Sequence, residues 1–326
     1  MFERVSMKLL VTGGAGYVGG VVTQLLLDAG HEVVVLDDLS RNDASQIPSA
    51  ARFVQARVHD VATVLDNSFD AVLHFAGLIA AGESMIHPEW HWENNTVGTL
   101  ALLDAMRVAR VRNLIFSSTA ATYGDPSELP LTETSITKPV NTYGATKLAA
   151  DMIIASEVHA HDLAAASLRY FNVAGAYLAG DVRLGERHDP ETHLIPIALE
   201  VAAGKREKLQ LFGDDYDTPD GTCIRDYIHV ADLAQAHLLA LNVIRNGEHK
   251  IYNLGNGTGF SNRQVVEAVR KVTGHAIPVE MAPRRAGDPA ALYTSSALAQ
   301  RELGWVPAKP GIEEIVADAW EFYRHG

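Results

Sequence analysis

Cysteine is nearly missing from this chain: Cys223 stands alone among 326 residues. An internal disulfide is excluded, and a reducing, cytoplasmic setting is expected. Basic residues are also scarce, with 27 Lys and Arg against 40 Asp and Glu and a net charge of −13. That balance excludes a general nucleic-acid surface, which needs a basic stripe, but admits an anionic ligand wherever arginines gather. Long apolar runs are missing too. No stretch approaches the roughly 18 residues of a membrane helix, and no basic-then-apolar leader opens the chain. Residues 1–6 precede a second methionine, Met7, and read as a ragged start. Neither internal repeats nor low-complexity segments occur. What remains is ordinary globular composition, 47% hydrophobic and 21% charged, long enough to bury a large core.

Apolar, β-branched runs at 9–12, 33–36, 71–75, 113–118 and 164–171 read as buried parallel strands. Helical spacing occupies 18–29, 94–108 and 143–158 between them. The alternation predicts an α/β fold with a doubly wound, Rossmann-type parallel sheet, its chemistry at the carboxyl ends of the strands. After Asn172 the texture changes. Residues 175–192 read as an irregular excursion rich in glycine, charge and histidine, 213–221 as an acidic loop, and 261–274 and 312–323 as helices. The expected division is a dinucleotide-binding domain at 1–172 and a smaller α/β substrate domain at 173–326, with part of 226–250 packing back on the first.

Gly14-x-Gly16-x-x-Gly19 follows a strand and opens a helix, and Gly13 adds a second glycine spacing. Bare backbone there can turn tightly and approach a pyrophosphate at a helix N-terminus. Asp37 ends the next strand, 21 residues after Gly16. A carboxylate at that place accepts from a ribose 2′-hydroxyl and repels a 2′-phosphate, which favours NAD over NADP. Asp38 competes for the same role. Downstream, Tyr143 and Lys147 share a helix face at i and i+4. A positive charge beside a phenol is expected to lower its pKa and make it a usable acid or base. Phe116-Ser-Ser-Thr119 ends a strand, where Thr119 can hydrogen-bond a hydroxyl under oxidation.

Residues 12–19, His74-Phe-Ala-Gly77 and Tyr143-x-x-x-Lys147 resemble the extended short-chain dehydrogenase/reductase superfamily. Gly82-Glu-Ser84, Asn94-Asn95, Tyr170-Phe-Asn172, Asp220-Gly-Thr-Cys-Ile-Arg-Asp-Tyr-Ile-His-Val230 and Arg284-Arg-Ala-Gly-Asp288 look like the UDP-glucose 4-epimerases in particular. The likeness runs from about Met7 to Tyr323. It implies an isomerase that keeps NAD bound and inverts C4 of a UDP-hexose through a 4-keto sugar, in galactose metabolism. It further implies Tyr143 as proton acceptor, Thr119 as holder of the oxygen and Lys147 on the nicotinamide ribose. NAD would lie against Gly13, Gly16, Tyr17, Val18, Gly19, Asp37, Asp38, Val58, Phe75, Ala76, Gly77, Asn94, Ser117, Tyr143, Lys147 and Tyr170. The UDP-sugar would meet Thr119, Asn172, His193, Leu194, Phe212, Arg225, Tyr227, Arg285 and Asp288. Helices 94–106 and 143–158 would pair two subunits into a homodimer.

Four positions depart from the family pattern. Ile79 replaces a frequent lysine near the cofactor, and Arg57 stands where an aspartate commonly meets adenine. His193 replaces asparagine beside the sugar, and Leu292 replaces the tyrosine that closes the pocket in glucose/galactose-only members. The sugar range therefore stays open, including N-acetylhexosamines, UDP-glucuronate and pentoses. A dehydratase needs an Asp-Glu pair after the strand-end threonine, and Ala120, Ala121 and Thr122 stand there instead. A non-catalytic NAD-sensing protein would not need Tyr143, Lys147 and Thr119 together. His87 and His91 have helical spacing, but Pro88 lies between them and no Glu-x-x-His pattern accompanies them; no metal is expected there. Cys223 lacks a partner base and reads as packing.

Overall fold

The apolar runs of the first half form parallel strands in a computed structural model that describes residues 6–285 and 288–325. These are β1 (Lys8–Thr12), β2 (Glu32–Asp37), β3 (Arg52–Gln55), β4 (Ala71–His74), β5 (Asn113–Thr119) and β6 (Ala164–Tyr170), joined by β7 (His249–Leu254). They form one seven-stranded sheet in the order β3-β2-β1-β4-β5-β6-β7. Alternate residues point to opposite faces of a strand. Leu9 and Val11 accordingly enter a core with Val21, Val22 and Leu26 of α1 (Tyr17–Asp28), while Leu10 enters another with Leu102 and Met106. Helices thus cover both faces, and the sheet is doubly wound. The strand order reverses between β1 and β4, which opens a crevice above their carboxyl ends.

Between β4 and β5 run α2 (Ala81–Ile86), α3 (Pro88–His91) and α4 (Gly98–Ala109). The helix expected over 94–108 is interrupted, because Trp92–Val97 is a π-helical turn. Such single wide turns re-aim one side chain and gather at functional sites. Here the turn buries Asn95. After β5 comes α5 (Thr142–His161).

Beyond β6 the excursion expected at 175–192 contains an antiparallel hairpin, Ala176–Ala179 with Val182–Gly185. Helices α6 (Leu194–Ala202), α8 (Asn262–Thr273) and α10 (Ile312–His325) share a third core through Ile195, Leu199, Val265, Val269, Ile315 and Val316. The intervening α7 (Val230–Leu241) packs its Leu233 and Ala236 into the α1 core, and α9 (Ala297–Leu303) adds Leu303. Ile224–Arg225 is a short central strand between Phe260–Ser261 and Ala291–Leu292. Residues 1–5 of the ragged start, and Ala286 and Gly287 of the arginine motif, lie outside the described residues.

Candidate active site

Helix α5 begins where Asn141, in extended backbone, accepts a hydrogen bond from the Gly144 amide at 2.8 Å. Such a cap contributes about 1 kcal/mol. It also fixes the helix start beside the end of β5: a Cβ on Gly144 would lie 2.9 Å from the Ala121 carbonyl carbon. Tyr143 therefore meets Thr119, whose hydroxyl acts to lower the phenol pKa. The Thr119 oxygen also accepts from the Ala121 amide at 3.1 Å, which orients it.

The pKa of Tyr143 corrects the sequence expectation. Burial raises it, and the Thr119 hydroxyl offsets only part of that rise. Lys147 does not lower it because its ammonium turns elsewhere, donating to the Ser117 carbonyl at 3.0 Å and lying 4.9 Å from the centre of the Phe116 ring. Burial brings Lys147 itself down to about 8, with Asp151 one turn further along the helix acting to raise it. Asp151 is buried and accepts from Arg169 at 2.8 and 3.2 Å and from Ser118 at 3.1 Å. Arg169 continues to Tyr123 at 3.1 Å, and Tyr123 donates to Asn253 at 2.7 Å. Tyr170 donates a short hydrogen bond to the Ser117 hydroxyl.

The glycine turn makes a cradle. Gly13 has φ of +75°, and a Cβ there would lie 2.7 Å from the Phe75 carbonyl carbon, so the turn lies on the loop after β4. Gly16 caps α1 without any side-chain hydrogen bond, which leaves the first helical N–H groups for an anion. Asp37 accepts from the Ala15 amide at 3.0 Å and from Leu39 at 2.9 Å; burial raises its pKa and these amides oppose the rise. Asp38 accepts from Ser40 at 2.9 Å within its own turn. Of the two, Asp37 is the one joined to the glycine loop. A turn that a Cβ would fill, an uncapped helix start and a strand-end carboxylate fit a dinucleotide.

Several expected cofactor residues have duties of their own. The Tyr17 ring is buried and its hydroxyl donates to the Gly175 carbonyl at 2.6 Å, burial raising its pKa well above the usual value. Val18 is half-buried beside the α1 core, and Val58 is buried among the α4 side chains. Phe75 packs on His237 with ring centres 4.9 Å apart. Asn94 donates to the Trp90 carbonyl at 2.8 Å, away from the strand ends. Its neighbour Asn95 points inward instead. Asn95 accepts from the Leu78 amide at 2.7 Å and donates to the Leu78 carbonyl at 2.9 Å and to Thr146 at 3.1 Å. A Cβ on Gly77 would lie 2.9 Å from the Asn95 oxygen and 3.4 Å from the Lys147 nitrogen. The Asn-Asn pair was the only sequence signal for this residue, and the π-helical turn decides which member faces in.

On the substrate side, Arg225 donates to the carbonyls of Ile224 and Pro289, both at 2.9 Å, and lies 3.7 Å from Asp288. Arg285 lies 4.8 Å from the Phe212 ring centre and donates to Asp288 at 3.1 Å. Asp226 plays no part in this pairing. It is buried, pushed up to about 6 by burial, and takes the amides of Asn256, Gly257 and Thr294. Leu292 pairs with Arg225, and Asn172 pairs with the buried Tyr227. His193 caps α6 just before Leu194 and makes a short contact with Glu186. Against the cost of desolvating its charge, the carboxylates of Glu186 and Glu191 raise the half-exposed His193 to about 9; Arg285 acts in the opposite sense. Glu186 sits correspondingly low, at about 2, held there by His193 and His188 in spite of burial. Of the two helix-spaced histidines, His87 stacks on Trp90 at 3.9 Å. His91 is buried edge-on to Tyr143 and lies 3.5 Å from Glu83.

The signature of the NAD dependent epimerase/dehydratase family matches residues 9–255. A UDP-glucose 4-epimerase from Corynebacterium glutamicum is 54% identical over 318 residues, covering 97% of this chain and 95% of that one. The crystal structure of UDP-glucose 4-epimerase from Brucella ovis in complex with NAD superposes with a TM-score of 0.92 at 44% identity, covering 98% of each chain. The UDP-glucose 4-epimerase of Stenotrophomonas maltophila, with bound NAD and formylated UDP-arabinopyranose, gives 0.93 at 40% identity, again covering 98% of each chain. Glycine cradle, strand-end threonine and Tyr/Lys helix occur here within a fold shared almost end to end with those enzymes, and the chain belongs to the NAD dependent epimerase/dehydratase family.

Proposed function

We propose that this chain is an NAD-dependent isomerase that inverts C4 of a UDP-hexose, interconverting UDP-glucose and UDP-galactose within galactose metabolism. The observation that carries the reading is the approach of Tyr143 on α5 to Thr119 at the end of β5, with Lys147 one turn further along the helix. Bound NAD supplies a reversible hydride acceptor for C4, so that oxidation of the sugar is transient. Tyr143 takes the proton of the 4-hydroxyl and returns it after the sugar has turned over. Burial that raises the phenol pKa makes its anion a strong base, and the Thr119 hydroxyl stabilises that anion. Lys147 holds the cofactor ribose, and Ser117 and Tyr170 set the edge of the same pocket. Gly13, Gly16, Gly19 and the backbone of Tyr17 and Val18 would hold the pyrophosphate and Asp37 the adenosine ribose, while Asn95 fixes the loop at Leu78.

The nucleotide grip falls to Arg225, Arg285 and Asp288 with Asn172, Leu194, Phe212 and Tyr227. Charge-assisted bonds from two arginines suit a diphosphate in an acidic protein. Leu292, next to Arg225 in the sheet, is smaller than the tyrosine of glucose-only members and supports acceptance of N-acetylated sugars as a second activity. The domain division is placed at residue 172, and the packing of α7 and β7 in the first core supports assigning them to the nucleotide domain. Exposed Trp92, Val97, Leu100 and Met152 form an apolar surface on the α4 and α5 side that fits a second copy. Sedimentation at micromolar concentration, which should give a dimer, checks that assignment. The single buried cysteine accords with the cytoplasm. Among the described residues no helix is long and apolar enough to cross a membrane.

The direct experiment supplies purified protein with UDP-galactose and with UDP-N-acetylgalactosamine, without added NAD. Conversion of the first is expected. Conversion of neither, in protein shown to contain NAD, contradicts the proposal.

A further inference from the structure

The loop that links the Val182–Gly185 strand to α6 carries Glu186, His188, Glu191 and His193, a Glu-x-His-x-x-Glu-x-His spacing. One ligand atom from each of the four lies within 4.8 Å of all the others. We propose that these four side chains form a structural binding site for a divalent first-row metal ion of the zinc class.

The geometry is close to a closed four-ligand site. Donors on one tetrahedral zinc, with bonds of about 2.0–2.2 Å, lie roughly 3.4 Å from one another. The His188 and His193 Nδ1 atoms both address the same Glu186 oxygen, His188 at 3.0 Å and His193 closer still. The Glu191 oxygen lies 3.9 Å from His193 Nδ1. The two rings are edge-to-face with centres 5.3 Å apart, as two imidazoles on one ion require. Both carboxylate side chains are more than nine-tenths buried. Glu191 is already aimed, its Oε1 held by the amides of Thr192 and His193 at 2.7 and 2.8 Å.

Charge and ligand type select the ion. A divalent cation with two carboxylates and two neutral imidazoles makes a neutral cluster. Two nitrogen donors favour zinc, cobalt or nickel over magnesium and calcium, which prefer all-oxygen sets. The site stands apart from the hydride chemistry. The loop rests on the nucleotide-binding unit through Gly185 N–H to Gln46 at 3.2 Å and Arg187 to Ser45 at 3.1 Å, and it ends at His193 and Leu194, the entry to α6. A metal there would pin the loop between the two halves of the chain.

NAD-loaded protein, stripped of metal with a chelator and dialysed, is titrated with ZnCl2 by calorimetry and with CoCl2 by visible absorption. We expect a single ion per chain, the intense visible bands of tetrahedral cobalt, and a higher melting temperature with zinc. His188→Ala and Glu191→Gln should each weaken zinc binding by at least a hundredfold and abolish the cobalt bands. Wild-type protein that binds no zinc at micromolar concentration, or shows only the weak absorption of octahedral cobalt, overturns the site even if a variant fails to fold. Zinc affinity unchanged in folded His188→Ala and Glu191→Gln overturns it as well. Loss of metal binding with normal sugar conversion leaves the epimerase reading intact, so the two proposals fail separately.

Discussion

Tyr143→Phe is expected to lower kcat by about 10²–10⁴ while the protein stays folded and retains NAD. General acid–base catalysis by one positioned side chain contributes that range, which corresponds to about 3–5 kcal/mol of barrier. The phenol faces Thr119, and that hydroxyl stays anchored through the Ala121 amide. Removing the phenol oxygen therefore leaves the helix cap, the β5 terminus and Lys147 in place. The loss should fall on kcat, with KM for the UDP-sugar little changed, because the phenol works on the proton and the arginines bind the nucleotide. Steady-state kinetics alongside the NAD content of the purified variant separate these outcomes. Activity within tenfold of wild type would remove Tyr143 from its role.

The second large effect lies behind the site. Arg169→Met should destabilise the fold by about 3–5 kcal/mol, because it leaves the Asp151 carboxylate buried without the guanidinium that pairs with it. That is between about a hundredfold and several thousandfold in the folding equilibrium. The pair is almost wholly enclosed, each side chain 4% exposed, and a second Asp151 oxygen has no hydrogen-bond partner. The double variant Asp151→Leu with Arg169→Met should recover most of the loss, since replacing both partners by apolar groups removes the desolvation cost along with the attraction. Urea denaturation with unchanged m-values measures both. A single variant costing under about 1 kcal/mol, within the range of an exposed pair, would show that the network carries no such energy. The pair also bears on catalysis, as Asp151 supports the charge of Lys147 from one helical turn away.

What the sequence makes legible follows the range of the interactions concerned. Gly13, Gly16 and Gly19, and Tyr143 with Lys147, are set by local backbone geometry, so spacing alone places them. Asp37 was separable from Asp38 only in three dimensions, through its bond to Ala15. Asn95 escaped because the π-helical turn shifts the face of the helix by one residue, which periodicity cannot show. Strands β3 and β7 were missed because polar residues interrupt their apolar runs, as Arg52 and Gln55 do in β3 and His249, Lys250 and Asn253 in β7, both at the edges of the sheet. Asp151 and Arg169 fall within the helix and strand expected at 143–158 and 164–171, and only the fold makes them partners. The lowered phenol pKa expected from the i, i+4 pair failed for a related reason. Spacing put the ammonium on the right face, but Ser117 and Phe116 drew it away from the phenol.

Epimerisation by transient oxidation requires that the sugar carbon give up its hydrogen and receive the same one back, with Tyr143 handling only the oxygen-bound proton. UDP-galactose carrying deuterium at C4, turned over by the NAD-loaded protein in ordinary water, tests this most directly. The expected product is UDP-glucose with deuterium retained at C4 and no net reduction of NAD. Loss of the label to solvent would mean that C4 is inverted by deprotonation and reprotonation at carbon, which contradicts transient oxidation.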